Sequence, residues 1–65
     1  MKAISGKELA RILELNGWAL QRINGSHHIY AKPGSPVRIS LPIHGNESLK
    51  LALHRHLLKL AGLLQ

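Results

Sequence analysis

Asn24-Gly25 constrains the fold of this chain more than any other pair of residues. It stands between the alternating run Trp18 to Ile23 and the strand-like run His27 to Lys32. Asn-Gly between alternating apolar segments is the strongest short-range hairpin signal, because a two-residue type I′ turn needs positive φ at both central positions. The spacing predicts Leu20 opposite Ile29 and Arg22 opposite His27 on one face, with Gln21 opposite His28 on the other. Two histidines follow the turn directly. Histidine is the side chain whose ordinary pKa lies nearest neutrality. An imidazole fixed beside a hairpin turn is a candidate for proton transfer.

The segments on either side complete the outline. Ser5-Gly6-Lys7-Glu8 reads as a capping box, with Ser5 as N-cap and Glu8 at N3. Ile4 and Leu9 fit a hydrophobic staple across it. Leu9, Ile12 and Leu13 then share one helical face, and Gly17 is a left-handed stop. Pro33-Gly34-Ser35-Pro36 marks a turn. Val37, Ile39 and Leu41 alternate with Arg38 and Ser40, giving a third strand that Pro42 ends. A second helix is expected over about Leu49 to Ala61, capped by Ser48 or Asn46 and closed by Gly62. On its wheel Leu49, Leu53, Leu57, Leu60 and Leu64 form the apolar face, with His56 inside it and His54 solvated. Leu51 and Leu58 point the other way, among Lys50, His54, Arg55 and Lys59, as anchors for a protein partner.

The fold class is therefore α+β. The order is α-β-β-β-α, a three-stranded antiparallel sheet with two helices on one face and the other face open. At 65 residues the chain is a single domain over 1–65. It contains no cysteine, which removes disulfides and thiolate metal sites and suits a cytoplasmic setting. No apolar run reaches the ~20 residues of a membrane span, and Met1-Lys2-Ala3-Ile4-Ser5 lacks the apolar stretch of a secretory signal. No membrane association is expected.

Lys and Arg number 9 against 3 Asp plus Glu, a net charge of +6. That balance favours nucleic acid or an acidic protein as partner. With Trp18 and Tyr30 the only aromatics, a base-stacking platform is not expected. Lys7, Arg11, Arg22, Lys32 and Arg38, with Lys50, Arg55 and Lys59, are candidate phosphate contacts. His54 and His56 are two apart and His27 and His28 diverge on a strand, so the five histidines do not make a zinc site. Neither a metal nor another cofactor is expected.

Leu13-x-x-x-Gly17-Trp18, Gly25-Ser26-His27-His28-Ile29-Tyr30, Val37-Arg38-Ile39-Ser40-Leu41-Pro42-Ile43-His44-Gly45 and Leu57-Leu58-Lys59-Leu60-Ala61-Gly62-Leu63 occur in that order. Together they resemble the HicA family of toxins, over nearly the whole chain. The chain departs from the family at Leu51-Ala52-Leu53-His54, where many relatives carry a Pro-Gly-Thr-Leu type helix start. The resemblance implies a fold like a double-stranded-RNA-binding domain and metal-independent cleavage of mRNA. It further implies a HicB-like antitoxin as partner, a functional role for His27, the histidine after Gly-Ser, and a motif glycine at Gly25.

RNA supplies its own nucleophile, the 2′-OH, once a base takes its proton. His27 is the candidate base. Gly25 and Ser26 leave room for a polynucleotide backbone, and Ser26 offers a hydroxyl. Side chains alternate along a strand, so His27 and His28 face opposite ways and only one can serve a given site. The residues alone leave both open; the family position selects His27. His44 is a candidate acid for the leaving oxygen, and a solvated loop residue otherwise. Arg22, Lys32 or Arg38 would steady the charge that develops on the phosphate. Two other functions fit the same composition: a non-catalytic double-stranded-RNA-binding module, and a protein that only holds an antitoxin-like partner.

Overall fold

A computed structural model describes residues 2–64. The elements are α1 (Gly6–Leu15), β1 (Ala19–Asn24), β2 (His27–Ala31), β3 (Arg38–Pro42) and α2 (Leu51–Leu60). The strands form one antiparallel sheet in the order β1-β2-β3, with β2 in the middle. The expected α-β-β-β-α order and α+β class hold.

The start of α1 follows from its sequence. Ser5 Oγ accepts from the Glu8 amide and Glu8 Oε1 accepts from the Ser5 amide, both at 3.2 Å, so the capping box is closed in both directions. Gly6 is buried, and a Cβ there would lie 2.5 Å from the Pro42 carbonyl oxygen. Only a glycine lets the first turn of α1 rest on the end of β3. At the other end the Gly17 amide donates to Glu14 and the Trp18 amide to Leu13, with Gly17 at φ 90°. This is the Schellman pattern, and it carries Trp18 into the core. Gly62 closes α2 in the same way, its amide donating to Lys59 and that of Leu63 to Leu58.

Tyr30, Ile39 and Leu41 are buried with Leu9 and Leu13 of α1 and Leu57 of α2 in one cluster. Their neighbours Arg38 and Ser40 are exposed. Both helices therefore cover the face that carries Tyr30, Ile39 and Leu41, and the opposite face is open. The edge strand β1 extends past the helical cover: all its residues are exposed, Leu20 and Ile23 included.

The hairpin differs from expectation. Asn24 pairs with His27, so the two-residue loop is Gly25-Ser26 and not Asn24-Gly25. Gly25 has φ 62°, and no described residue other than glycine has positive φ, which is the type II′ pattern with glycine first. Moving the turn by one residue shifts each pairing by two. Arg22 thus stands opposite Ile29 and not His27, though still on the same face as both. Ile23, not Gln21, opposes His28 for the same reason, and a bulge between Leu20 and Arg22 then adds a residue, so that Leu20 pairs with Tyr30.

The second helix also differs. It begins at Leu51, two residues later than expected, with Lys50 as N-cap and no side-chain hydrogen bond there. Ser48 does not cap it. Ser48 instead bridges Ser5, and the Leu49 amide donates to the Ile4 carbonyl at 2.8 Å. Leu49 is thus buried by an extended segment, and a wheel phased on it is rotated from the real helix. The inward residues are His54, Leu57 and Ala61, with Leu53 and Leu58 packed beside them. Leu60 and His56 are exposed, the reverse of expectation, as is the burial of His54. Leu58 is half-buried against the core, so of the two expected anchors only Leu51 projects into solvent.

Candidate functional site

Alternation along β2 separates its two histidines. His28 pairs with Leu41 and lies on the helix side, half-buried, with Nδ1 enclosed and without a hydrogen-bond partner. His27 pairs with Pro42 on the open side and is exposed. Its Nδ1 lies 3.1 Å from Ser40 Oγ in a hydrogen bond across β2 and β3. Ser40 opposes Ile29, so it is the diagonal neighbour of His27 on the same face. The bond occupies Nδ1 and leaves Nε2 as the ring nitrogen available to a ligand.

The backbone around His27 is held from both sides. Asn24 pairs with it across the turn, and the Ser26 carbonyl accepts from the Ile43 amide at 2.9 Å. Gly25 is exposed, and a Cβ there would meet nothing within 4 Å. The approach to His27 over the turn is therefore unobstructed. Ser26 is half-buried beside it.

The basic candidates are not gathered at one point. Arg22 shares the open face with His27, two pairs along the ladder and therefore at the next pair on that face. Arg38 opposes Ala31 at the far end of β2 on the same face, and Lys32 follows Ala31. Lys7 and Arg11 are exposed on α1, in the helical layer. Arg55 and Lys59 lie on the outer side of α2, where with Ala52, His56 and Leu64 they line a shallow groove. His44 is exposed in the loop after β3 and lines a depression with Pro42, Glu47 and Lys50. The spacing places Arg22 opposite His27, whereas the structure gives its ring a hydrogen bond to Ser40. Ser40 was read only as an outward residue of β3, and its contact with His27 depends on the pairing of two strands, which no local signal encodes.

Among the described residues no three His, Cys, Asp or Glu side chains stand together as a metal-binding group. No helix among them is long and apolar enough to cross a membrane.

An open sheet face carrying Arg22, Arg38 and a tethered, exposed imidazole beside a hairpin turn characterises this small α+β domain. The family described as the HicA toxin of bacterial toxin–antitoxin systems matches residues 6–63 of the 65, all five elements included. The chain belongs to the HicA toxin family. No match is found among curated proteins.

Proposed function

We propose that this protein is an endoribonuclease that cleaves mRNA without a metal ion, in the cytoplasm, and that a HicB-like antitoxin neutralises it. The observation that carries the reading is the placement of His27, exposed on the open sheet face with Nδ1 bonded to Ser40. When Nδ1 donates its proton to Ser40 Oγ, the Nε2 lone pair faces outward as a base. It takes the proton of a ribose 2′-OH. The 2′-oxygen attacks the adjacent phosphorus, the bond from phosphorus to the 5′-oxygen breaks, and that oxygen takes a proton from the medium. The products are a 2′,3′-cyclic phosphate and a 5′-hydroxyl. Proton transfer of this kind contributes about 100- to 10,000-fold.

Arg22 is the cation nearest along the face and steadies the developing charge. Gly25 and Ser26 let the ribose-phosphate backbone come close. Lys7, Arg11, Lys32 and Arg38 add affinity without sequence choice. Leu51, exposed at the start of α2, is a contact for the antitoxin. His28 is a poorer candidate for the base, since its Nδ1 is enclosed on the helix side.

The test is cleavage of an mRNA by the wild type and by His27→Ala, with and without a chelator. The wild type is expected to cut in both conditions and to leave cyclic phosphate ends. His27→Ala is expected to bind RNA, melt normally and lose cleavage by about 100-fold or more. Equal cutting by the variant overturns the assignment of His27, and binding without cutting by the wild type makes the protein a binding module.

A further inference from the structure

The sheet end farthest from the Gly25-Ser26 turn carries a cleft of about 460 Å³, lined by Ala19, Gln21, Ala31, Lys32, Ser35 and Arg38 among others. Its wall is ordered by its own chemistry. The Ser35 amide donates to the Lys32 carbonyl at 3.1 Å across Pro33 and Gly34, and Gly34 has φ 83°, which makes a type II turn. Ser35 Oγ accepts from the Val37 amide at 3.1 Å. Arg38 Nη1 donates to the carbonyls of Ser35 and Val37 at 3.3 and 3.2 Å. Lys32 Nζ stands 5.9 Å from the centre of the Trp18 ring. Both cations are restrained before any ligand arrives, so binding costs little ordering entropy. The three acidic residues of the chain lie elsewhere: Glu8 bonds Ser5, Glu14 bonds Tyr30 and Glu47 follows β3.

The distance from this cleft to His27 sets its role. His27 and Ala31 are the two ends of β2 and face the same side, about 13 Å apart at about 3.3 Å per residue. A base acts only within hydrogen-bond reach, about 3 Å, of the proton it takes. Lys32 and Arg38 therefore do not touch the group being cut when His27 does the cutting.

We propose that this cleft holds a phosphate of the RNA strand other than the scissile one, so that the strand runs along the open face from His27 to Arg38, with Lys32 reaching the same cleft from its edge beside Trp18. The proposal rests on the reading of His27 as the cleavage site. It turns two scattered cations into a subsite that favours longer substrates. Interactions made equally before and during reaction lower KM and leave kcat alone, and the subsite contributes in that way.

The experiment measures binding of oligoribonucleotides methylated at every 2′-oxygen, which cannot be cut by 2′-attack, so that affinity is read apart from catalysis. A dinucleotide and a decanucleotide are compared on the wild type, on Lys32→Gln/Arg38→Gln and on Arg55→Gln/Lys59→Gln. The last removes the same charge from the outer side of α2, and melting curves confirm that each variant is folded. The cleft variant is expected to bind the decanucleotide about tenfold more weakly or worse. Its salt slope of log K is expected to be flatter by about 1.4, because two cations no longer neutralise single-strand phosphates. It binds the dinucleotide within about twofold of wild type, and the α2 variant loses less than about threefold on both, as weak general attraction alone requires.

Equal losses in the two variants overturn the subsite, since general charge then explains them. An equal loss on the dinucleotide overturns it too, because the cations then act at the cut itself. Competition by polyglutamate as strong as by the decanucleotide overturns it in favour of an acidic protein segment. A wild type that fails to cut unmethylated RNA while keeping the length dependence sinks the cleavage reading alone. Cleavage that depends on His27 without the length dependence sinks the subsite alone.

Discussion

The Tyr30 hydroxyl donates to Glu14 Oε2 at 3.1 Å, joining the middle strand to the last turn of α1. Burial, the hydrogen bond to Glu14 and its negative charge push the phenol from 10.0 up to about 12. The folded state thus holds this proton more tightly than the unfolded state. The stabilisation is complete below pH 10 and is lost as pH rises from 10 through about 12. Tyr30 is the only tyrosine, so an absorbance titration of the phenolate reads it alone. Tyr30→Phe is expected to lose about 1 kcal/mol near neutral pH, and the gap between the two melting curves is expected to close toward pH 12.

Ser40 positions the imidazole it touches. Ser40→Ala removes an exposed hydrogen bond worth about 1 kcal/mol, which corresponds to about fivefold in rate. The expected result is a fall in kcat of that size for RNA cleavage, with KM unchanged and a melting temperature lowered by no more than about 4–8 °C. Ser40→Thr, which keeps the hydroxyl, is expected to restore most of the rate.

Gly6→Ala tests the seat of α1 on β3. Alanine gains helix propensity of up to about 1 kcal/mol. Against that, its Cβ meets the Pro42 carbonyl at 2.5 Å and Ile43 Cγ1 at 3.0 Å, and the first is backbone that cannot swing away. Overpacking of this kind costs about 1–3 kcal/mol, so net destabilisation is expected in chemical denaturation.

His54 is buried on the inner side of α2 with Nδ1 enclosed and unpartnered. An enclosed polar group without a hydrogen bond costs about 1–3 kcal/mol. His54→Leu keeps the volume near that of histidine and removes the cost. A gain of about 1 kcal/mol is expected, read as a rise in melting temperature of about 4–8 °C for a domain of this size.

Lys50 caps α2 with extended backbone, φ −61° and ψ 140°, the geometry a capping side chain needs, but lysine has no acceptor to offer. Its positive charge also opposes the positive end of the helix dipole. Lys50→Asp is expected to stabilise the protein by about 1 kcal/mol, measured by thermal melting at low salt.

Much of this architecture is legible in the residues because its signals are local. The capping box, the stop at Gly17 and the alternation of Ile39 and Leu41 each lie within a few residues. The errors arise where distant chain segments decide. Asn24-Gly25 and Gly25-Ser26 are both acceptable turn pairs, and the observed pairing with β2 selects the second. Leu49 looks like the first residue of a helix face, yet the Ile4 carbonyl holds its amide in extended backbone. That displacement misplaces His54, His56, Leu58 and Leu60 together. In the site, the exposure of His27 follows from strand alternation, whereas its bond to Ser40 requires the register of β3.

The isolated bridge between Ser5 and Ser48, with the Leu49 amide on the Ile4 carbonyl, fastens the lead-in of α1 to the approach of α2. The lead-in to α1 is therefore also the clasp for α2. A protease that cuts between Ile4 and Ser5 would detach the carbonyl that holds the Leu49 amide and so loosen the approach to α2.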